Sequence, residues 1–241
     1  MPPFSPDRPP DFLARLNDTQ RVEILRLATT LVIDKGEIVF QTGSPGDFTY
    51  FLAAGRVKIY HQSRNGREVV LWFCVPGEIF GLAEVCQGGD GRQVTAQACE
   101  PSRVLAVRRE AFQNFLEQHP AASLVVNDVL ACRLRSLGGV IQSLVKNDVN
   151  ERVAQLLARL SANYGRGLAN GDICLDIRIT HQDMANMIGS TRQSVTSALN
   201  QLRRQGILEF DAKHRILVHD KNFLAEHASL GLASPARASE F

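Results

Sequence analysis

Hydrophobic positions change their period twice along this chain. Between residues 31 and 107, runs rich in β-branched and aromatic side chains (Ile38-Val39-Phe40, Thr49-Tyr50-Phe51-Leu52, 57–60 and 69–75) are separated by turn dipeptides at Lys35-Gly36, Pro45-Gly46, Ala54-Gly55, Asn65-Gly66 and Pro76-Gly77. Such runs, with a turn about every ten residues, predict antiparallel hairpins in a barrel or sandwich. Val94, Ala96 and Ala98 alternate with polar residues, and 104–107 adds a strand after Pro101. Asn65-Gly66 predicts a type I′ turn, whose two central positions need positive φ. Upstream, 11–30 reads as one short helix that buries Phe12, Leu13, Leu16, Ile24, Leu25 and Leu27. Residues 1–10 hold five prolines and read as an extended, poorly ordered arm. The tail from 223 to 241 turns to Ala, Ser and Gly and reads as flexible.

From Arg109 the period becomes helical. Leu130, Leu134, Leu137, Ile141 and Leu144 alternate spacings of four and three on a helix from about Ala121 to Lys146. That is a heptad seam. The stripe is narrower than packing on a β domain requires, so it predicts a second copy as partner, with the chain's own β domain as the alternative. Gly138 and Gly139 interrupt the helix beside the seam, each costing about 1 kcal/mol relative to Ala; close backbone approach or local yielding would give them a role.

The third pattern, 179–206, carries the chemistry. Thr180 can cap a helix, with Asp183 as its reciprocal partner. Met184, Ala185 and Ile188 form the inner face, and Gly189 permits a left-handed stop. Ser190 or Thr191 caps a second helix with inner face Val195, Leu199 and Leu202, ended by Gly206. Two short helices joined at a glycine form a helix-turn-helix. The second helix's outer face holds Arg192, Gln193, Thr196, Ser197 and Asn200, beside Ser194, where a solvated helix would more often carry Glu and Lys pairs. These side chains can read base edges, Arg on guanine and Gln or Asn on adenine. Thr180, His181, Gln182 and Thr191 sit where helix N-termini grip phosphates. Residues 207–210 and 215–218 flank Asp211-Ala-Lys-His as a small hairpin wing.

Composition narrows the classes. The 241 residues carry 27 Lys+Arg against 25 Asp+Glu, and 148–222 holds ten against eight, a weak electrostatic footprint for nucleic acid. No apolar run approaches the ~18 residues of a membrane span, and the N-terminus lacks a secretory signal's basic and apolar regions. Five cysteines, Cys74, Cys86, Cys99, Cys132 and Cys174, include no Cys-x-x-Cys, so reduced thiols in a cytoplasm are expected. The histidines offer no metal-spaced pair, and no His-Glu-x-x-His, Walker or Gly-x-Ser-x-Gly motif occurs, so neither a metal site nor an enzyme is expected.

An N-terminal β-roll, a long helix and a C-terminal winged helix-turn-helix, with Pro76-Gly-Glu-Ile-Phe-Gly81, 147–152 and 189–206 as the most specific segments, resemble the bacterial Crp/Fnr transcription regulators over residues 11–222. The resemblance implies an α+β chain: an arm at 1–10, a double-stranded β-helix sensor domain at 11–119, a dimerisation helix at 120–147, a winged helix-turn-helix at 148–222 and a tail at 223–241. It implies a homodimer on an inverted repeat, with recognition helices in successive major grooves ~34 Å apart. Promoter DNA and RNA polymerase are the implied partners. The alternative is a ligand-binding module acting on another protein.

The resemblance also frames the effector. Cyclic-AMP-binding members cradle the phosphate with the turn after Phe-Gly and a downstream Arg, here Gly81 and Arg92. Leu82 stands where the ribose-binding Glu is expected, Gln93 where a Ser or Thr follows the Arg, and Leu137-Gly138 where a Thr-Ser pair meets adenine. Each lost hydrogen bond costs ~1–1.5 kcal/mol, which disfavours cyclic AMP; Glu84, two positions on, is the alternative carboxylate. The iron–sulfur branch needs clustered N-terminal cysteines, and none precedes Cys74. The recognition segment looks like that of the haem-dependent carbon-monoxide sensors, but their haem ligands fall at Gly81 and Ala83, which cannot bind iron; Cys86, Cys99, His61 and His119 are the other haem candidates. Gly81, Leu82, Ala83 and Arg92 also suit a small organic acid, with Arg92 pairing its carboxylate; the competing reading is Arg92 as a solvated turn residue.

Overall fold

The computed structural model describes residues 8–84, 91–146, 148–212, 215–219 and 221–228. Expectations for the rest of the arm, Cys86 and the glycines before Gly91, Asn147, the wing tip at 213–214, and 229–241 lie outside the described residues. Contacts divide the chain into two compact units, Pro9–Arg133 and a second from Leu134 on.

In the first unit, the segment expected to be one helix is two. Asp11 caps α1 (Phe12–Arg15), accepting from the Ala14 amide, and Asn17 with Gln20 forms a capping box on α2 (Asp18–Arg26). A new cap restarts the chain, and the β-branched Thr29, Thr30, Val32 and Ile33 already belong to β1 (Ala28–Ile33). Phe12, Leu16 and Ile24 are buried as expected, whereas Leu25 and Leu27 are 41% and 42% exposed. Pro9, assigned to the arm, is buried.

The strands follow as β2 (Ile38–Phe40), β3 (Phe48–Ala54), β4 (Val57–Gln62), β5 (Glu68–Cys74), β6 (Ile79–Phe80), β7 (Thr95–Ala98) and β8 (Ser102–Arg108). They form two antiparallel four-stranded sheets, β1-β8-β3-β6 and β2-β7-β4-β5. Period-two alternation sorts β3 between two cores. Tyr50 and Leu52 join Phe40, Ile59, Phe80 and Val104 in a cluster drawn from both sheets. Phe51 faces the other way, into a cluster with Phe12, Phe112, Phe115, Val126 and Val129. That second core is closed by α1, α2, α3 (Arg109–Gln118) and the first half of α4 (Pro120–Lys146). Cys74 is fully buried among these strands, and burial pushes its thiol up to about 12. The β4–β5 turn is not type I′. The Gly66 amide donates to the Ser63 carbonyl at 2.9 Å and the Ser63 amide to the Arg67 carbonyl at 2.9 Å, enclosing a three-residue loop with Gly66 at φ 80°. One extra residue moves the left-handed position past the turn's centre.

In the second unit, Asp148 caps α5 (Val149–Tyr164), accepting from the Glu151 amide. Then come β9 (Gly165–Gly167), β10 (Ile173–Leu175), α6 (His181–Ile188), α7 (Arg192–Arg204), β11 (Leu208–Phe210), β12 (Ile216–Val218) and α8 (Lys221–Ala228). The expected wing hairpin is half of a sheet ordered β11-β12-β10-β9. Residues 223–228, assigned to the flexible tail, are helical instead: α8 runs to Ala228 against α5, with Leu224 buried. No described helix is long and apolar enough to cross a membrane.

Candidate functional site

The C-terminal unit presents a two-helix head. Thr180 and Asp183 form the expected capping box on α6, the Thr180 hydroxyl accepting from the Asp183 amide at 3.0 Å. Met184, Ala185 and Ile188 are buried beneath it. Gly189 stops the helix at φ 62°, ψ 41°, and a Cβ there would lie 3.2 Å from Leu144 Cδ2. Both facts favour glycine. Thr191, rather than Ser190, caps α7, accepting from the Ser194 amide at 3.1 Å. Val195 and Leu199 are fully buried, joined by Ala198, which the hydrophobic pattern alone did not single out.

The outward side chains divide into two groups. Arg192, Gln193, Ser197 and Asn200 are exposed, as are Thr180, Gln182 and Thr191. Thr196 and Ser194 are half-buried and, like Thr180, Gln182 and Thr191, hydrogen-bonded within the protein. Thr196 Oγ1 donates to the Arg192 carbonyl at 2.8 Å and lies 2.9 Å from His181 Nδ1, while the Ser194 hydroxyl meets that of Thr191 at 2.9 Å. The first turn of α7 holds no acid and its last turn holds Arg203 and Arg204. Its N-terminus thus carries the Arg192 charge with no acid in the same turn, a surface suited to phosphate and base edges. The wing is pinned where Asp211 Oδ1 accepts from the Arg215 amide at 2.8 Å and Asp211 Oδ2 pairs with the Arg215 guanidinium at 2.7 Å.

In the β unit, a cavity of about 120 Å³ is lined by Gly81, Leu82, Ala83, Glu84 and Arg92 of the expected set. Gln93 and Leu137 are not among its lining residues. Arg92 is not a solvated turn residue. It is 1% exposed, with Nη1 donating to Glu84 Oε2 at 2.5 Å and to the Gly81 carbonyl at 3.2 Å, and Nη2 donating to the Phe48 carbonyl. Its guanidinium lies 4.2 Å from the Phe40 ring centre, a cation–π contact. Glu84 is therefore occupied with Arg92. Gly81, at φ 73°, leaves room for this arrangement: a Cβ would stand 2.9 Å from Arg92 Nη1.

The lining also includes residues outside the expected effector set, among them Trp72, Leu130 and Arg133. Arg133 Nη2 donates to Glu78 Oε2 at 2.6 Å and its guanidinium is 4.8 Å from the Trp72 ring. An arginine directly after the apolar run Val129-Leu-Ala-Cys132 was the available signal. Leu130, expected on the seam, packs half-buried against its own β core. Of the other seam positions, Leu134, Ile141 and Leu144 are 73%, 63% and 44% exposed, and Leu137 is intermediate. His61 and Gln93 meet through the Gln93 carbonyl at 3.3 Å, and His119 pairs with Glu23 at 2.9 Å. Among the described residues no group of three His, Cys, Asp or Glu side chains could hold a metal.

Residues 30–119 match the cyclic nucleotide-binding domain family, and 151–227 match the Crp-like helix-turn-helix domain. The chain belongs to the Crp/Fnr family. This Crp/Fnr regulator is 29% identical over 194 residues to the CRP-like cAMP-activated global transcriptional regulator of Mycobacterium tuberculosis, covering 80% of this chain and 85% of that one. The global nitrogen regulator of Synechocystis is equally similar, at 29% over 194 residues with the same coverage. A CooA variant from Carboxydothermus hydrogenoformans superposes with a TM-score of 0.73 at 27% identity, covering 86% of this chain and 90% of that one. FixK2 from Bradyrhizobium japonicum gives 0.71 at 25%, covering 83% and 96%. Like other Crp/Fnr members, the chain is a DNA-binding transcription regulator, with a cyclic-nucleotide-binding-type domain ahead of its reading head.

Proposed function

We propose that this Crp/Fnr regulator acts as a homodimer on an inverted repeat in promoter DNA, controlled by a small molecule in the β-roll cavity. Sensor, dimerisation helix and reading head correspond in this proposal to 11–119, 120–147 and 148–222. The observation that carries it is the capped α6–Gly189–α7 head with Arg192, Gln193, Ser197 and Asn200 free on its outer face. Phosphates are gripped from the exposed Thr180, Gln182 and Thr191, by His181, and by the α7 amides. The exposed Leu134 and Ile141 support pairing along α4, extended towards the N-terminus by Leu124, 65% exposed, and Ala131 at heptad spacing. RNA polymerase is the further partner. The protein works in the cytoplasm, without membrane contact and without catalysis of its own.

The test is fluorescence anisotropy on an inverted repeat selected from random duplexes. The expected result is tight, salt-sensitive binding by a dimer that protects two half-sites one helical turn apart. Wild-type selectivity retained in the double variant Arg192→Ala/Gln193→Ala would show that another surface reads the DNA.

A further inference from the structure

Both arginines in the cavity wall already have a carboxylate. Arg92, fully buried, is paired with Glu84 at 2.5 Å, and Arg133 with Glu78 at 2.6 Å. The wall therefore presents no unbalanced positive charge. Most of the remaining lining is apolar, including Phe40, Trp72, Phe80, Leu82, Val129 and Leu130. An entering anion would shed its hydration, meet a guanidinium already neutralised, and stand beside the Glu84 carboxylate. An uncharged apolar molecule meets none of these penalties. Size points the same way: about 120 Å³ is close to the roughly 150 Å³ of an apolar cavity that holds benzene, whereas a cyclic nucleotide is several times larger than benzene.

We propose that this cavity takes an uncharged, predominantly apolar molecule of about benzene size, and that the Glu84–Arg92 pair is the element that turns anions away. The inference rests on the reading of the cavity as the effector site, but the ligand class can be tested without DNA. Trp72 is the only tryptophan in the chain and lines the cavity, so its emission reports occupancy. The full-length protein is titrated with toluene, benzoate and cyclic AMP.

The expected result is a saturable change with toluene, a response to benzoate only at tenfold or higher concentration, and none to cyclic AMP. In Glu84→Gln, Arg92 loses its counter-charge, so benzoate is expected to gain at least tenfold relative to toluene. Val94→Phe, which fills the cavity from a lining position, is expected to abolish the toluene response while still melting cooperatively. Benzoate or cyclic AMP matching toluene in the wild-type protein, an unchanged ranking in Glu84→Gln, or a toluene response surviving in Val94→Phe would each overturn the proposal. Anisotropy on the selected operator, with and without toluene, separates the two readings. Toluene that binds yet leaves DNA affinity unchanged sinks the effector reading and leaves the ligand class standing.

Discussion

Thr196 shows how single side chains divide the work of the reading head. Its one hydroxyl proton goes to the Arg192 carbonyl, so the contact with His181 requires the imidazole to donate from Nδ1, leaving Nε2 unprotonated in the neutral ring. Thr196 thus holds α6 to α7. Thr196→Ala is expected to lower stability by about 1 kcal/mol with base preference unchanged, as read by urea denaturation and operator competition. Arg192→Ala is expected to lose about 1–3 kcal/mol of discrimination at one G·C pair, measured against operators substituted there. His181 titrates below its usual 6.5 because burial, and then the Arg192 charge, disfavour the imidazolium. The folded chain therefore binds this proton less readily than the unfolded chain. Its contribution to stability is complete above pH 6.5 and is lost as pH falls through the lowered value. Melting at pH 8 and pH 5 should show a smaller acid loss in His181→Asn than in wild type. The caps were legible in sequence because donor and acceptor lie within three residues. The Arg92–Glu84 pair was not, because their meeting depends on the fold that also brings the Phe48 carbonyl to Arg92.

Helix α4 shows the same divide among elements. Its leucine spacing announced a seam, but spacing alone cannot say which neighbouring stripe the chain itself will cover. Ala122, Val126, Val129 and Cys132 are buried, which turns Leu130 inward and leaves Leu124, Leu134 and Ile141 outward. Leu134→Asp and Ile141→Asp are accordingly expected to shift a sedimenting dimer to monomer, whereas Leu130→Asp should instead lower the melting temperature of the β unit. Hairpins with long β-branched runs were readable. The short strands β9 and β10 were not, since three residues carry too little alternation and gain their state from pairing with each other and with β12. Helix and strand blurred at residues 27–30, where helical spacing ran straight into a β-branched segment. Gly189→Ala would need a left-handed alanine pressed against Leu144, with an expected cost of about 1–2 kcal/mol visible in the denaturation of the C-terminal unit.

For the whole molecule, the near balance of 27 basic and 25 acidic residues means that affinity for DNA has to come from a few placed contacts rather than a diffuse positive field. The order of domains was legible because each is a string of local signals; the content of the cavity was not, because its wall is assembled from strands, a turn and a helix remote in sequence. That assembly bears on how the sensor can be cut from the rest. A fragment ending at residue 119, just ahead of α4, would discard Ala122, Val126 and Val129 from the inner core together with Leu130 and Arg133 from the cavity wall. At roughly 1.5–3 kcal/mol for each large apolar side chain re-exposed, such a fragment would be left with an open, wet hollow and little margin against unfolding. Excision at the far end of the helix keeps the cavity wall and that core whole.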